Sequence, residues 1–300
     1  MTRLANWQLF ALCVLVWGTT WHAITYQVGA GVPPELGVAL RFGLAGAVVL
    51  GWCAWRGIGL RFNARAHALF LLQGVFMYSL SYICVYHAER HVASGLVAIG
   101  YSASPLINGL AARALWGVRF TRRFIAGGVL GLLGVALIFA PQLGTAVTDA
   151  EAEAVALGAL FTVGSVLLSS VGSLAASRNR SQGLPMWPAL GYGMFYSALC
   201  SAAVLLLGVG LSGAALPALP ATPSWWLALV YLSLAGSVLT FAAYLTLQDR
   251  IGPGPSSAIG VAAPVLAIAV SIGFEGYRPG VLTGVGVALA VLGNVWMLRR

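Results

Sequence analysis

Ten long apolar stretches, separated by short polar gaps, follow one another along the chain. Each holds about 20 residues, the length that a helix rising 1.5 Å per residue needs to cross a hydrocarbon core of about 30 Å. This pattern predicts an all-α integral membrane protein with ten transmembrane helices. The predicted spans cover residues 6–29, 34–55, 66–87, 92–116, 123–141, 154–177, 185–210, 224–248, 253–275 and 280–298.

Composition agrees with a membrane protein and leaves no room for a separate soluble domain. Hydrophobic residues make up 60% of the 300-residue chain and charged residues only 8%, whereas soluble domains carry about 25% charged residues. The four cysteines all lie inside predicted spans and form no Cys-x-x-Cys pair. We therefore expect no disulfide, no structural metal site and no cofactor.

The arginines sort onto alternate gaps between the spans. All sixteen cations are Arg, and most of them fall on the side that also holds both chain ends, here called the Arg-rich face. The opposite side, the Arg-poor face, carries only Arg90 and Arg278 together with most of the acids. Because short arginine-rich loops stay in the cytoplasm, we predict a multi-pass protein of the bacterial inner membrane with both termini cytoplasmic.

This charge pattern also limits the partners and the chemistry. The net charge of +9 lies along one membrane face, so anionic lipid is the expected partner and nucleic acid is not. The chain contains no Lys, which a P-loop needs for its phosphates and which retinal or pyridoxal phosphate needs for a Schiff base. We therefore exclude ATP-driven transport by this chain alone and a rhodopsin.

The second half of the chain repeats features of the first. The tripeptide Ala98–Gly100 precedes Pro105, and the same tripeptide at Ala258–Gly260 precedes Pro264. We predict two five-helix repeats, residues 1–145 and 146–300, joined by a hydrophilic linker at 142–153. Because five is odd, a tandem copy enters the membrane from the opposite side, which gives inverted repeats around a central cavity and alternating access.

Glycines extend this repeat into the last span of each half. Gly127 and Gly134 are separated from Gly286 and Gly293 by the same number of positions that separates the two prolines. We also expect the Gly-x-x-x-Gly pairs that begin at Gly127 and Gly280 to form close-packed helix faces, because small residues let helices approach in a bilayer.

Several short motifs give the chain a family resemblance. The sequence Trp17-Gly18-Thr19-Thr20 in the first span, Arg41-Phe42 in the second and Pro105 in the fourth resemble the drug/metabolite transporter superfamily, specifically its ten-span EamA family. In one departure, Gly117 is followed by Val118 where the family often has Glu, while Glu275 fills the matching place in the second half.

The resemblance implies a secondary transporter, and the chain looks most like the YddG-type aromatic amino-acid exporters. That likeness implies export of aromatic and other neutral amino acids, or related small metabolites, with no obligatory protein partner. Three alternatives stay open: an exporter of another substrate class, a channel, and an intramembrane enzyme, for which the sequence offers no Gly-x-Ser-x-Gly or paired acidic motif.

The first span supplies three candidate cavity residues. Trp17 and Trp21 are four positions apart and share a helix face, and His22 is an ionisable group inside the membrane, which marks a functional site by default. Packing satisfied by neighbouring carbonyls is the alternative. No acid lies near the predicted midplane, so proton coupling would need His22 or a peripheral acid such as Glu275.

The third span carries a tyrosine ladder, Tyr78, Tyr82 and Tyr86, at helical spacing. We predict that the two deeper rings, Tyr78 and Tyr82, line the cavity and that Tyr86 reaches the interface; an aromatic packing stripe is the alternative. Arg41 is the only Arg well inside a span, and we expect it to pair with a carboxylate.

The prolines in the fourth and ninth spans predict two helix breaks. Proline leaves the carbonyl four residues back without its usual partner, so Pro105 frees Tyr101 and Pro264 frees Gly260 for a substrate ammonium, or else makes a simple packing kink. The other candidate cavity residues surround these breaks or lie on the eighth span: Ser104, Asn108, Phe241, Tyr244 and Ser257.

Overall fold

Helices form every segment predicted to cross the membrane. The computed structural model describes residues 4–117, 121–145, 148–251, 256 and 258–298. The spans are α1 (Asn6–Val28), α2 (Pro34–Trp55), α3 (Ala64–Ala88), α4 (94–116), α5 (Arg122–Thr145), α6 (Asp149–Ser181), α7 (Met186–Ser212), α8 (223–251), α9 (Ile259–Phe274) and α10 (Val281–Leu298).

Seven of the described helices are apolar and long enough to cross a membrane as continuous units, and α9 and α10 are shorter apolar helices. The remaining span, α4, is interrupted: Ser94–Gly100 and Ser104–Trp116 are α-helical, and a 3₁₀ turn at Tyr101–Ala103 joins them. The predicted break at Pro105 is confirmed, because this proline starts the second half of α4, where its missing N–H costs no hydrogen bond.

The other predicted break does not occur inside α9. Pro264 lies within a continuous helix from Ile259 to Phe274. Gly260 is in the first turn of that helix, so the proline follows the helix start closely. The fourth span is therefore interrupted near its proline, whereas its repeat equivalent, the ninth span, is continuous.

The predicted linker at 142–153 is largely helical. Helix α5 continues to Thr145 and α6 starts at Asp149. A capping box explains the early start of α6: the Thr148 hydroxyl accepts from Glu151 N at 3.2 Å, and the Glu151 carboxylate accepts from Thr148 N at 3.2 Å.

Two spans at equivalent positions of the repeats contain π-helical turns. Gly74–Leu80 in α3 and Tyr231–Leu239 in α8 widen the helix and disturb its regular hydrogen bonds. Side chains donate hydrogen bonds to backbone carbonyls of these segments and of the α4 break. The bonds run from Ser81 to Met77 O, from Ser237 to Leu232 O, from Thr240 to Ala235 O, from Trp17 to Gly236 O and from Asn294 to Ser102 O.

The helix contacts follow the repeat. Helix α2 packs on α7 and α5 on α10, which pairs the second and fifth spans of one half with their equivalents in the other. Helix α1 contacts α8 and α9, and its equivalent α6 contacts α3 and α4. The main contacts of one half thus have counterparts in the other half.

The α5–α10 contact shows that the halves are inverted. A Cβ on Gly127 would lie 2.5 Å from Gly293 O, and a Cβ on Gly286 would lie 2.7 Å from Gly134 O. The start of α5 meets the end of α10, so the two helices are antiparallel. Gly127 and Gly286 are equivalent in the two repeats, and so are Gly134 and Gly293. The two contacts are therefore related by a twofold axis in the membrane plane, as inverted repeats require.

The glycines at the start of α10 do not belong to this contact. A Cβ on Gly280 or Gly284 would meet nothing within 4 Å, so the expected close-packed face at that pair is wrong. On α10 the close-packed positions are Gly286 and Gly293.

Replacing Gly286 with Leu should weaken the α5–α10 contact, because the new side chain would collide with Gly134 O and with Ile138 Cγ1, 2.7 Å from the added Cβ. Overpacking of this kind costs about 1–3 kcal/mol or more. We expect a lower thermal midpoint for the purified protein by size-exclusion chromatography after heating. Gly284→Leu is the matched control on the same helix and should keep the parent midpoint; equal midpoints for both variants would contradict the assignment.

Candidate functional site

A cavity of about 260 Å³ reaches from the buried centre of the helix bundle towards the Arg-rich face. Its inner end is aromatic, and its outer end includes the exposed side chains of Ser177 and Arg180. The lining residues come from α3, α4, α6, α7 and α8 and from the α6–α7 turn: Gln73, Met77, Tyr78, Asn108, Ser173, Ala176, Ser177, Asn179, Arg180, Leu184, Met186, Ala189, Leu190, Phe241, Tyr244, Leu245 and Gln248.

Aromatic rings form the inner end of this cavity. Tyr78 packs edge-on against Phe241 with ring centroids 5.9 Å apart. Trp17 lies behind this wall, 5.4 Å from both Phe241 and Tyr244, and its indole N–H donates to Gly236 O at 3.2 Å. The π turn in α8 therefore supplies the carbonyl that holds the tryptophan and, through it, the wall.

Amide side chains give the cavity its polar lining. Asn179 Nδ2 donates to Gln73 Oε1 at 2.7 Å, and Gln73 Nε2 donates to the Tyr78 hydroxyl at 3.4 Å. The Oδ1 atoms of Asn108 and Asn179 are buried and have no partner in the described part of the chain. These two oxygens can accept hydrogen bonds from a ligand.

Charge enters the cavity only at its mouth. Arg180 Nη1 donates to Gln248 Oε1 at 2.7 Å, and no carboxylate is among the described side chains that line the cavity. The interior is therefore neutral and the mouth positive, which suits neutral or zwitterionic molecules better than organic cations.

The Arg-poor end of the bundle is closed. Glu275, just after α9, accepts from the Ser94 backbone N–H at 3.0 Å and from the Ser94 hydroxyl at 2.5 Å, and His22 Nδ1 lies 2.9 Å from the same carboxylate. Beside it, Gly95 N donates to Ser271 Oγ at 2.9 Å. These contacts join α1, the start of α4 and the end of α9, and together we call them the outer latch.

Glycine makes this closure possible. A Cβ on Gly95 would lie 2.7 Å from the backbone Cα of Ile268, so α4 and α9 touch backbone to backbone there. With one end closed and the cavity reaching the other, the protein is in a state that faces the Arg-rich side.

Of the thirteen residues predicted to surround a cavity, Tyr78, Asn108, Phe241 and Tyr244 line the one described here. Trp17 is one layer behind it, Trp21 packs against Tyr101 with centroids 5.3 Å apart, and His22 belongs to the outer latch. Ser257 lies outside the described residues. The others are placed elsewhere: Tyr82 packs on Phe42, Ser104 and Pro105 start the second half of α4, and Pro264 borders a separate void of about 10 Å³.

Two expectations about single residues are wrong. Arg41 makes no ion pair within 4 Å in the described part of the chain; its guanidinium lies over the rings of Tyr82 and Phe42, at 4.6 and 5.1 Å. Tyr86 does not reach the interface: it is 1% exposed and donates to Gln27 Oε1 at 2.6 Å.

The sequence analysis missed the polar side of the cavity: Gln73, Asn179, Arg180 and Gln248. Asn179 and Arg180 follow the predicted end of the sixth span, but α6 continues to Ser181 and carries Asn179 into the core, where it is 1% exposed. The sequence did contain one indication: Asn179 and Arg180 follow Ser173 and Ala176 at intervals of three to four residues, the spacing of one helix face.

Comparison with known proteins agrees with this architecture. The profile described as "EamA-like transporter family" matches residues 6–140 and again residues 156–299. The chain belongs to the EamA-like transporter family. The double match corresponds to the two repeats, and the protein is a multi-pass membrane transporter of the drug/metabolite superfamily.

Curated relatives carry a matching description. The "Uncharacterized inner membrane transporter YedA" of Escherichia coli strain K12 is 28% identical over 272 residues, which cover 89% of this chain and 82% of that protein. The proteins of the same name in strains O6:H1 and O157:H7 match equally well. A crystal structure of another protein superposes with a TM-score of 0.67 at 23% identity, over 96% of this chain and 94% of that one, and shows the fold alone.

One-sided opening can be tested by cysteine accessibility in a background with the four native cysteines replaced by Ala. Ser173→Cys in the cavity should react with a membrane-impermeant thiol reagent, because the cavity admits solvent from the Arg-rich face. Leu96→Cys, at a side chain 1% exposed next to the outer latch, should be protected. Mass spectrometry of the labelled protein measures both, and rapid labelling of position 96 in the ligand-free protein would contradict a closed outer latch.

Proposed function

We propose that the protein exports aromatic and other neutral amino acids, or closely related small metabolites, from the cytoplasm by alternating access. The Arg-rich face is cytoplasmic in this proposal, since short arginine-rich loops remain on that side. The cavity then receives its substrate from the cytoplasm. The observation that carries the proposal is the pairing of aromatic walls with unpartnered amide oxygens in a cavity whose described lining includes no carboxylate.

The size of the cavity supports a small substrate. About 260 Å³ is below the ~300–1,000 Å³ typical of sites for drug-sized ligands. An aromatic side chain can pack against the wall that Tyr78 and Phe241 form, where each ring pair contributes about 0.5–1.5 kcal/mol beyond burial. An ammonium group can donate to the free oxygens of Asn108 and Asn179.

Inverted repeats supply the means of moving the substrate. The main helix contacts of each half recur in the other, so the two halves can exchange conformations about the axis between α5 and α10. Release on the Arg-poor side requires the Glu275 contacts to part and the ends of α4 and α9 to separate.

A transport panel tests the proposal directly. Purified protein in liposomes preloaded with L-tryptophan, L-phenylalanine or L-leucine should show saturable efflux that unlabelled substrate competes. An organic cation such as tetraphenylphosphonium should cross no faster than in protein-free liposomes, because the described lining of the cavity includes no acidic side chain. Saturable cation flux with no amino-acid flux would replace the proposal with a drug exporter, and non-saturating flux would indicate a channel.

Phe241→Ala should lower the apparent affinity for tryptophan about tenfold, because it removes one wall of the aromatic end and the ring contacts that this wall makes with Tyr78. The half-saturation concentration for alanine should change much less, since alanine brings no ring to that wall. Phe195→Ala, at a ring 40% exposed on the outer surface, is the matched control and should leave both values unchanged. An equal loss for tryptophan and alanine would contradict an aromatic site at Phe241.

A further inference from the structure

Three polar side chains are buried in the half of the helix bundle that is nearer the Arg-poor face. Gln27 and Arg41 are each 2% exposed and Glu89 is 9% exposed. They come from three places, the end of α1, the outer half of α2 and the position directly after α3. Polar groups buried in a membrane protein are costly unless partners satisfy them, so they mark functional positions.

Each of the three side chains has at least one atom without a hydrogen-bond partner among the described residues. The unpartnered donors are Arg41 Nη1 and Gln27 Nε2, and the unpartnered acceptors are both carboxylate oxygens of Glu89. The bonds that do exist are few: Arg41 Nε donates to Ser237 Oγ at 3.4 Å, and Gln27 Oε1 accepts from Tyr86. The cluster thus holds one guanidinium and one carboxyl group, with free donors on one side and free acceptors on the other.

The contacts of the cluster place it on the path through the protein. The Arg41 guanidinium lies over Phe42, and the Phe42 ring is 5.4 Å from Tyr78, which lines the cavity. On the other side, Glu89 directly follows α3 and lies five positions before Ser94, whose backbone N–H donates to Glu275 in the outer latch. A substrate leaving the aromatic end of the cavity towards the Arg-poor face therefore meets Arg41 and then Glu89.

We propose that Gln27, Arg41 and Glu89 form a second substrate site, which takes the zwitterionic end of an α-amino acid while the outer latch opens. The carboxylate of the substrate accepts from Arg41 Nη1 and Gln27 Nε2, and its ammonium group donates to Glu89. The site rests on the proposed function and adds to it the groups that select both charges of the substrate. A zwitterion matches the cluster because its carboxylate meets the free donors of Arg41 and Gln27 and its ammonium group meets the free oxygens of Glu89.

The experiment compares three indoles that differ only in charged groups: L-tryptophan, tryptamine without the carboxylate, and indole-3-propionate without the ammonium. Efflux of each from liposomes is measured for the parent protein, Arg41→Gln and Glu89→Gln. Arg65→Gln and Glu153→Gln make the same two changes at exposed side chains and serve as matched controls. Each flux is normalised to the monodisperse protein recovered.

Arg41→Gln should lower tryptophan and indole-3-propionate flux about tenfold relative to tryptamine flux, because only the first two carry the carboxylate. Glu89→Gln should lower tryptophan and tryptamine flux about tenfold relative to indole-3-propionate flux. Both controls should keep the parent ratios. This opposite selectivity of the two variants is the expected result.

A purely structural role gives a different pattern. If Arg41 only clamps Tyr82 and Phe42, its loss lowers all three fluxes by the same factor, and equal factors for both variants would overturn the second site. Unchanged ratios would also overturn it. Failure of the parent protein to move any amino acid in the panel would instead refute the proposed function on which the site rests.

Discussion

The bilayer forces every backbone group in a span to find its partner within the protein, and the irregular parts of this structure follow from that constraint. The π turns of α3 and α8 and the 3₁₀ turn of α4 disturb the regular helix bonds. Side chains donate hydrogen bonds to carbonyls in these segments. Trp17 bonds Gly236 O and Asn294 bonds Ser102 O. Irregular backbone is therefore found where the same helix or a neighbouring helix carries a donor side chain, and the two π turns adjoin the cavity or its inner wall.

The architecture was accessible from the sequence because bilayer thickness dictates span length and because odd-numbered repeats must invert. Ten helices and the break at Pro105 follow from those rules. The sequence could not show that α9 stays continuous through Pro264, because a proline inside a helix can either break it or leave it continuous with one hydrogen bond missing. The length of α6 was underestimated for a similar reason: hydropathy falls at its polar end although helical bonding continues to Ser181.

The candidate site was only partly predictable, and its two components differ in this respect. The aromatic wall at Tyr78 and Phe241 was found because large rings inside spans are visible in the sequence. The amides at Gln73 and Asn179 were missed because a polar residue near a span end looks the same whether it faces solvent or a cavity. Arg41 was misjudged for a third reason: a charge inside a membrane protein suggests an ion pair, whereas here Arg41 has no ion pair among the described residues and leaves Nη1 unpartnered.

The outer latch has an acid in one half of the protein only. Glu275 follows α9, whereas the corresponding end of α4 reads Trp116-Gly117-Val118. Two inverted halves with identical chemistry would give equal populations of the states open to the two sides of the membrane. A carboxylate that holds one end closed raises the population of the state that is open at the other end. Such a bias cannot drive net flux, since only a gradient can. It does make the half-saturation concentration differ between the two sides of the membrane, because the empty cavity opens more often on the Arg-rich side.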